Sequence, residues 1–169
     1  MPELISLERL QPSLLDRLTD DEPSQRRESR EQRFFNVRRL RQSVLRDLGW
    51  LLNTTRQPAG SEIDRYDEAS RSTLNFGLPE LAGISASTVD VEQLAQCVKE
   101  AVLRFEPRIL REGLSVKVTA DAETMGANTL TMRIEGDLWA VPAPLRILVN
   151  TCFDLESGRV VVADAAATR

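Results

Sequence analysis

The sequence predicts an α+β domain: N-terminal helices, one long helix and a second amphipathic helix packed on a small antiparallel sheet of three or four strands. Apolar residues recur at helical spacing as far as Phe105, and after Gly113 they alternate with polar ones. Helices first and strands last is the order of an α+β fold rather than of alternating βαβ units. At 169 residues, 41% hydrophobic and 28% charged, the chain is long enough for one ordinary core beneath a solvated surface.

Leu4, Leu7, Leu10, Leu14, Leu15 and Leu18 have helical spacing, interrupted by Pro12. Pro12 fits the first turn of a short helix from Pro12 to Leu18. Its Leu14, Leu15 and Leu18 face needs a partner, because so short a helix is marginal alone. That partner is either the body of the domain or another protein. From Thr19 to Arg33 the chain is polar, charged and interrupted by Pro23, which reads as a partly flexible linker. Residues 1–28 thus form an N-terminal segment, and 29–169 a domain.

The long helix is expected over about Ser29 to Asn53. Phe34, Val37, Leu40, Val44, Leu48 and Leu51 make one apolar stripe. Arg38, Arg39, Arg41 and Arg46 lie mostly off it, either as a solvated face, partly neutralised by Glu28, Glu31 and Asp47, or as a grip on an acidic partner. Gly49 costs a helix interior about 1 kcal/mol against Ala, which hints at close packing. Pro58-Ala59-Gly60 ends the helix. Residues 61 to 88 are loop-rich, with Tyr66, Leu74, Phe76, Leu78 and Ile84 expected to tack the loop to the core. Asp90 caps a second helix whose apolar face is Val91, Leu94, Val98, Val102 and Phe105. Pro107 bounds it.

Leu114, Val116, Val118 and Ala120, then Leu130, Met132 and Ile134, then Leu145, Ile147, Val149, Thr151 and Phe153 alternate with other residues and predict half-buried strands. Met125-Gly126-Ala127-Asn128 supplies a turn, and Val160-Val161-Val162 adds a short terminal strand. Either Arg146 to Asp154 or Val160 to Val162 is expected to be the open edge of the sheet.

Composition narrows function. The chain contains no histidine, which removes Ser-His-Asp and Cys-His chemistry and the commonest metal ligand. A formal charge of −4 disfavours nucleic-acid binding. No apolar run approaches the ~20 residues of a membrane span. The N-terminus lacks the pattern of a secretory signal, so a cytoplasmic location is expected. Cys97 and Cys152 read as free thiols. No cofactor or metal is expected.

Several stretches carry a family signal. Pro12-Ser13-Leu14-Leu15-Asp16-Arg17-Leu18 is similar to the N-terminal segment of the TssE family of type VI secretion systems. Arg46-Asp47-Leu48-Gly49-Trp50-Leu51-Leu52-Asn53-Thr54 resembles that family's long-helix signature, and Tyr66 through Gly77-Leu78-Pro79 its middle loop. Phe105-Glu106-Pro107-Arg108-Ile109 resembles the Glu-Pro-Arg motif shared with sheath-initiator wedge proteins of contractile-tailed phages. The resemblance implies a non-enzymatic baseplate wedge subunit. It would join TssF, TssG and TssK, touch the sheath proteins TssB and TssC, and sit on the cytoplasmic face of the inner membrane.

Glu106, Pro107 and Arg108 have a physical logic of their own. Pro107 lacks an N–H and pushes Glu106 out of helical geometry, so the chain turns rigidly and is expected to hold Glu106 and Arg108 together and outward. Spacing alone favours a solvated ion pair, whereas the resemblance favours a lock for a partner. Glu106-Pro107-Arg108 and Leu14, Leu15 and Leu18 are therefore the candidate partner-binding residues. Trp50 and Trp139 read as core or interface anchors. The rival reading, a lysozyme-like glycoside hydrolase, requires two carboxylates about 5 to 10 Å apart. Glu106, Glu112 and Asp137 are available, but their spacing singles out no pair, and aromatics are only 5% of residues.

Overall fold

The computed structural model describes residues 13–19, 37–120, 128–140 and 143–164. Within them lie helices α1 (Leu14–Leu18), α2 (Val37–Leu52), α3 (Asp67–Arg71) and α4 (Val91–Phe105), with short 3-10 turns between α2 and α4. Strands β1 (Ser115–Ala120), β2 (Thr129–Leu138), β3 (Leu145–Asp154) and β4 (Arg159–Asp164) form one antiparallel sheet in the order β1-β2-β3-β4. The expected α+β class and helix-then-strand order are those observed. The apolar positions Leu4, Leu7, Leu10 and Phe34, most of the linker, the start of the long helix and most of the 125–128 turn lie outside the described residues.

The α2 stripe is buried at Leu40, Val44, Leu48 and Leu51, but Val37 is exposed at the helix start. α4 begins where Asp90 accepts hydrogen bonds from the N–H groups of Glu92 and Gln93, satisfying donors that the first turn leaves free. Leu94, Val98, Ala101 and Val102 pack inward. The sheet contributes Leu130, Met132, Ile134, Ile147, Val149 and Phe153 from alternate positions, so one face closes the core and the other stays largely polar.

Only part of the 61–88 loop follows expectation. Leu78 is buried, and the ring of Phe76 meets that of Phe105 edge-on at 5.0 Å. Tyr66, Leu74 and Ile84 are exposed instead. Backbone fastens this loop as well: Leu78 donates to Thr54 O at 2.8 Å, and Arg56 donates to Leu78 O at 2.8 Å. Gly77 makes that approach possible. Its φ is +119°, and a Cβ there would lie 2.2 Å from Thr54 O.

The sheet order corrects one expectation. β3, which contains Arg146 to Asp154, is interior, paired with β2 on one side and β4 on the other. Its backbone is consumed by the sheet, so the edges belong to β1 and β4.

Leu48 has no exposed surface and belongs to the core cluster that α2 shares with α4 and the sheet. Leu48→Ala is expected to lower stability by about 2–5 kcal/mol, read as a reduced urea midpoint with an unchanged slope. A loss under about 1 kcal/mol would mean that α2 is not central to this core.

Candidate functional site

The Glu-Pro-Arg corner begins at the last turn of α4. The Glu106 N–H still donates to Val102 O at 2.9 Å, but its backbone has left helical geometry at φ −122°, ψ 77°. Pro107 carries the chain away, and residues 108–110 pair beside the end of β2. The Leu110 N–H donates to Asp137 O, and the Trp139 N–H to Arg108 O, both at 2.8 Å. Gly136 leaves the space, since a Cβ there would sit 3.2 Å from Ile109 Cγ2. α4 and the sheet are thus stitched together by backbone on both sides of Pro107.

The side chains then close on each other. Glu106 is 2% exposed, and Arg108 lies over it, donating from Nε to Oε1 at 2.6 Å and from Nη2 to Oε2. The same guanidinium reaches α2, donating from Nη1 to Ser43 Oγ at 2.8 Å and from Nη2 to Asp47. A planar fork can meet a carboxylate and two further acceptors at once, which an ammonium cannot do with fixed geometry. Burial by itself disfavours the Arg108 cation. The hydrogen bonds and charges of Glu106 and Asp47 outweigh it and push its pKa further above the ordinary arginine value.

This geometry corrects the expectation that acid and base are both turned outward. Glu106 is sealed inside, and the fork supplies the counter-charge and hydrogen bonds that offset the desolvation of its carboxylate. Pro107 is exposed, Arg108 keeps one partly exposed edge, and beside them Trp139 is 57% exposed. Glu106, considered for hydrolytic chemistry, has its carboxylate engaged by Arg108 on both oxygens.

A polar chain runs from the corner to the N-terminal helix. Asp47 pairs with Arg46 at 2.8 Å, and Arg46 pairs with Asp16 of α1 at 2.9 Å. Ser43 Oγ, while accepting from Arg108, donates to Asp16 at 2.8 Å. Ser13 adds a hydrogen bond to Asp16 at 2.6 Å. Burial opposes the Asp16 charge, yet the bonds from Ser13, Ser43 and Arg46 hold its carboxyl below its usual pKa. Arg46 also lies 5.0 Å from the Trp50 ring. Of the helix arginines, Arg41 and Arg46 thus serve this chain's own carboxylates, Arg41 binding Asp164 of β4 at 2.6 Å.

α1 therefore docks by its polar side. Leu14 and Leu18 are 73% and 75% exposed, and Leu15 is 43% exposed. Of the two alternatives for this face, the described residues of the domain do not bury it. The supporting residues Asp16 and Ser43 carry no functional expectation from sequence, whereas Asp47, expected only to help neutralise the helix arginines, pairs with Arg46 and also with Arg108. Ser43 carried the one available signal: a polar residue three positions after Leu40, on the apolar side of α2.

Fold and corner define an α+β scaffold that leaves an apolar helix face, a braced corner and a sheet edge at its surface. Residues 38–143 match the family described as baseplate wedge protein gp25, and the chain belongs to that family. TssE is the type VI secretion homologue of gp25. It is a structural component of a baseplate, made to associate with other baseplate subunits. No curated protein and no solved structure matches the chain. No helix among the described residues is long and apolar enough to cross a membrane, and no described group of Cys, Asp and Glu is arranged to hold a metal ion.

Arg108→Ala would strand Glu106 as an uncompensated buried charge. The expected loss is about 3–5 kcal/mol, comparable to a core truncation, whereas Glu106→Leu with Arg108→Met together should cost much less. Urea unfolding of the variants checks this. A fully stable Arg108→Ala chain would show that the pair is not a structural brace.

Proposed function

We propose that this chain is the TssE-type wedge subunit of a type VI secretion baseplate. It joins TssF, TssG and TssK, offers a starting edge to the sheath proteins TssB and TssC, and works without catalysis on the cytoplasmic face of the inner membrane. The observation that carries this reading is the orientation of α1. A helix held to its own domain through Asp16, with Leu14 and Leu18 in solvent, is suited to an apolar groove on a neighbouring subunit. Family membership supplies the setting in which such a neighbour exists. In this reading the segment 1–28 is the wedge-contacting part and 29–169 the domain that carries the edge.

The corner contributes differently from an exposed ion pair. Glu106 acts from inside by fixing Arg108, and the contact surface is Pro107, the open side of Arg108 and Trp139. An exposed Trp beside a braced Arg has the composition of an interface hot spot. The sheath contact falls on β4, the edge strand that follows β3. Removing the C-terminal residues is a poor test of it, because Val160 is 6% exposed and belongs to the core. Val162→Pro is better. It removes an outward N–H at an edge, where proline is tolerated.

Two measurements test the reading. Leu14→Asp with Leu18→Asp should leave the melting temperature of the isolated chain unchanged and abolish co-purification with co-expressed TssF and TssG. Val162→Pro should abolish capture of the TssB/TssC pair. Normal capture by both variants, or clearing of a peptidoglycan zymogram by the wild-type chain, would overturn it.

A further inference from the structure

The outer side of β4 is not uniformly open. The backbone N–H of Val160 donates to Asn53 Oδ1 at 2.9 Å, and its carbonyl accepts from Asn53 Nδ2 at 2.9 Å. The Asn53 side-chain amide thus takes both outward groups of one edge residue, as a neighbouring strand would. Because outward pairs recur every second residue, the next ones belong to Val162. Among the described residues, no partner meets the outward N–H and C=O of Val162.

Beside Val162 the flanking helix is hollowed. An open groove of about 700 Å³ is lined by Arg46, Gly49, Trp50, Asn53, Val160 and Val162, among others. Gly49 forms the part of this wall facing Val162. Glycine is a poor choice in a helix interior, and the chain's own packing does not demand it. A Cβ at Gly49 would meet only Val162 Cγ2, at an ordinary 4.0 Å. The bare backbone leaves room for something that is not part of this chain. Trp50, 51% exposed, provides an apolar flank to the same groove. Arg159, which also lines it, has no carboxylate partner among the described residues.

We propose that Gly49, Trp50 and Asn53 form a gate that admits an extended segment of a sheath subunit at Val162 and stops it at Val160. The incoming backbone pairs with the free N–H and C=O of Val162. One of its apolar side chains lies over Gly49 against Trp50, and an acidic residue beside it meets Arg159. Asn53 already occupies the position opposite Val160, so the added strand has one register rather than several. A strand edge without such a stop is prone to slippage. This rests on the sheath-contact reading above and adds to it which residues set the fit.

The test uses the full chain and the purified TssB/TssC pair. Gly49→Leu fills the groove and should weaken affinity about tenfold or more, with a melting temperature no lower than wild type. Gly49→Ala, whose methyl fits, should raise the melting temperature and retain most of the binding. In the wild-type complex, amide exchange should slow at Val162 and stay unchanged at Val160. Wild-type affinity for Gly49→Leu overturns the gate. If Val162→Pro still abolishes binding in that case, the edge reading survives alone; if Val162→Pro also binds normally, both fail.

Discussion

One guanidinium holds this molecule's parts in register. Arg108 leaves the end of α4, binds the buried Glu106 on both oxygens, and reaches Ser43 and Asp47 on α2. Without it the corner would place a carboxylate in the core with no counter-charge, at a cost of about 3–5 kcal/mol. With it, the second helix, the long helix and the end of β2 are fixed relative to one another. Apolar packing alone would not specify this junction so narrowly, since hydrophobic contacts are non-directional while a bidentate fork has one geometry.

The same junction passes its constraint to the N-terminus. Ser43 receives a hydrogen bond from Arg108 and gives one to Asp16, and Arg46 bridges Asp16 and Asp47. α1 is thus attached through the network that braces the corner, and a disturbance of either is felt by the other. Under the proposed reading, in which one neighbour seats on α1 and another near Pro107, this network is a physical route between the two contacts. The coupling is carried by side chains with few alternative partners, in contrast to the solvated pairs of the outer sheet face such as Arg133 with Glu135.

Much of the scaffold was legible in the sequence. Period 3.6 located α2 and α4, period 2 located the strands, and Asp90 and Pro107 marked the ends of α4 because capping and the missing N–H act locally. Non-local facts were not legible. Nothing near Glu106 says that its carboxylate turns inward, because that depends on Arg108 and on the acceptors Asp47 and Ser43 that hold it, 61 and 65 residues earlier in the chain than Arg108. Tyr66, Leu74 and Ile84 have the hydropathy of core residues and lie in solvent, because the loop is fastened elsewhere, by Phe76, the buried Leu78 and the backbone pairing of Leu78 with Thr54 and Arg56. The order of strands was equally hidden, so β3 was a candidate edge until its two neighbours were seen. The apolar face of α1 was read correctly as a face. Its direction was decided by Asp16, a residue that hydropathy ignores.

The clasp between Asn53 and Val160 joins residues 107 positions apart. α2 precedes β4 in the chain, and β4 covers one side of β3, so without β4 the sheet would end at β3 with its outer backbone unmet. That strand would then be a sticky border, open to wrong partners. A chain released before its final strand would keep that border permanently, and quality control would meet it as an aggregation-prone species rather than as a slightly shortened subunit.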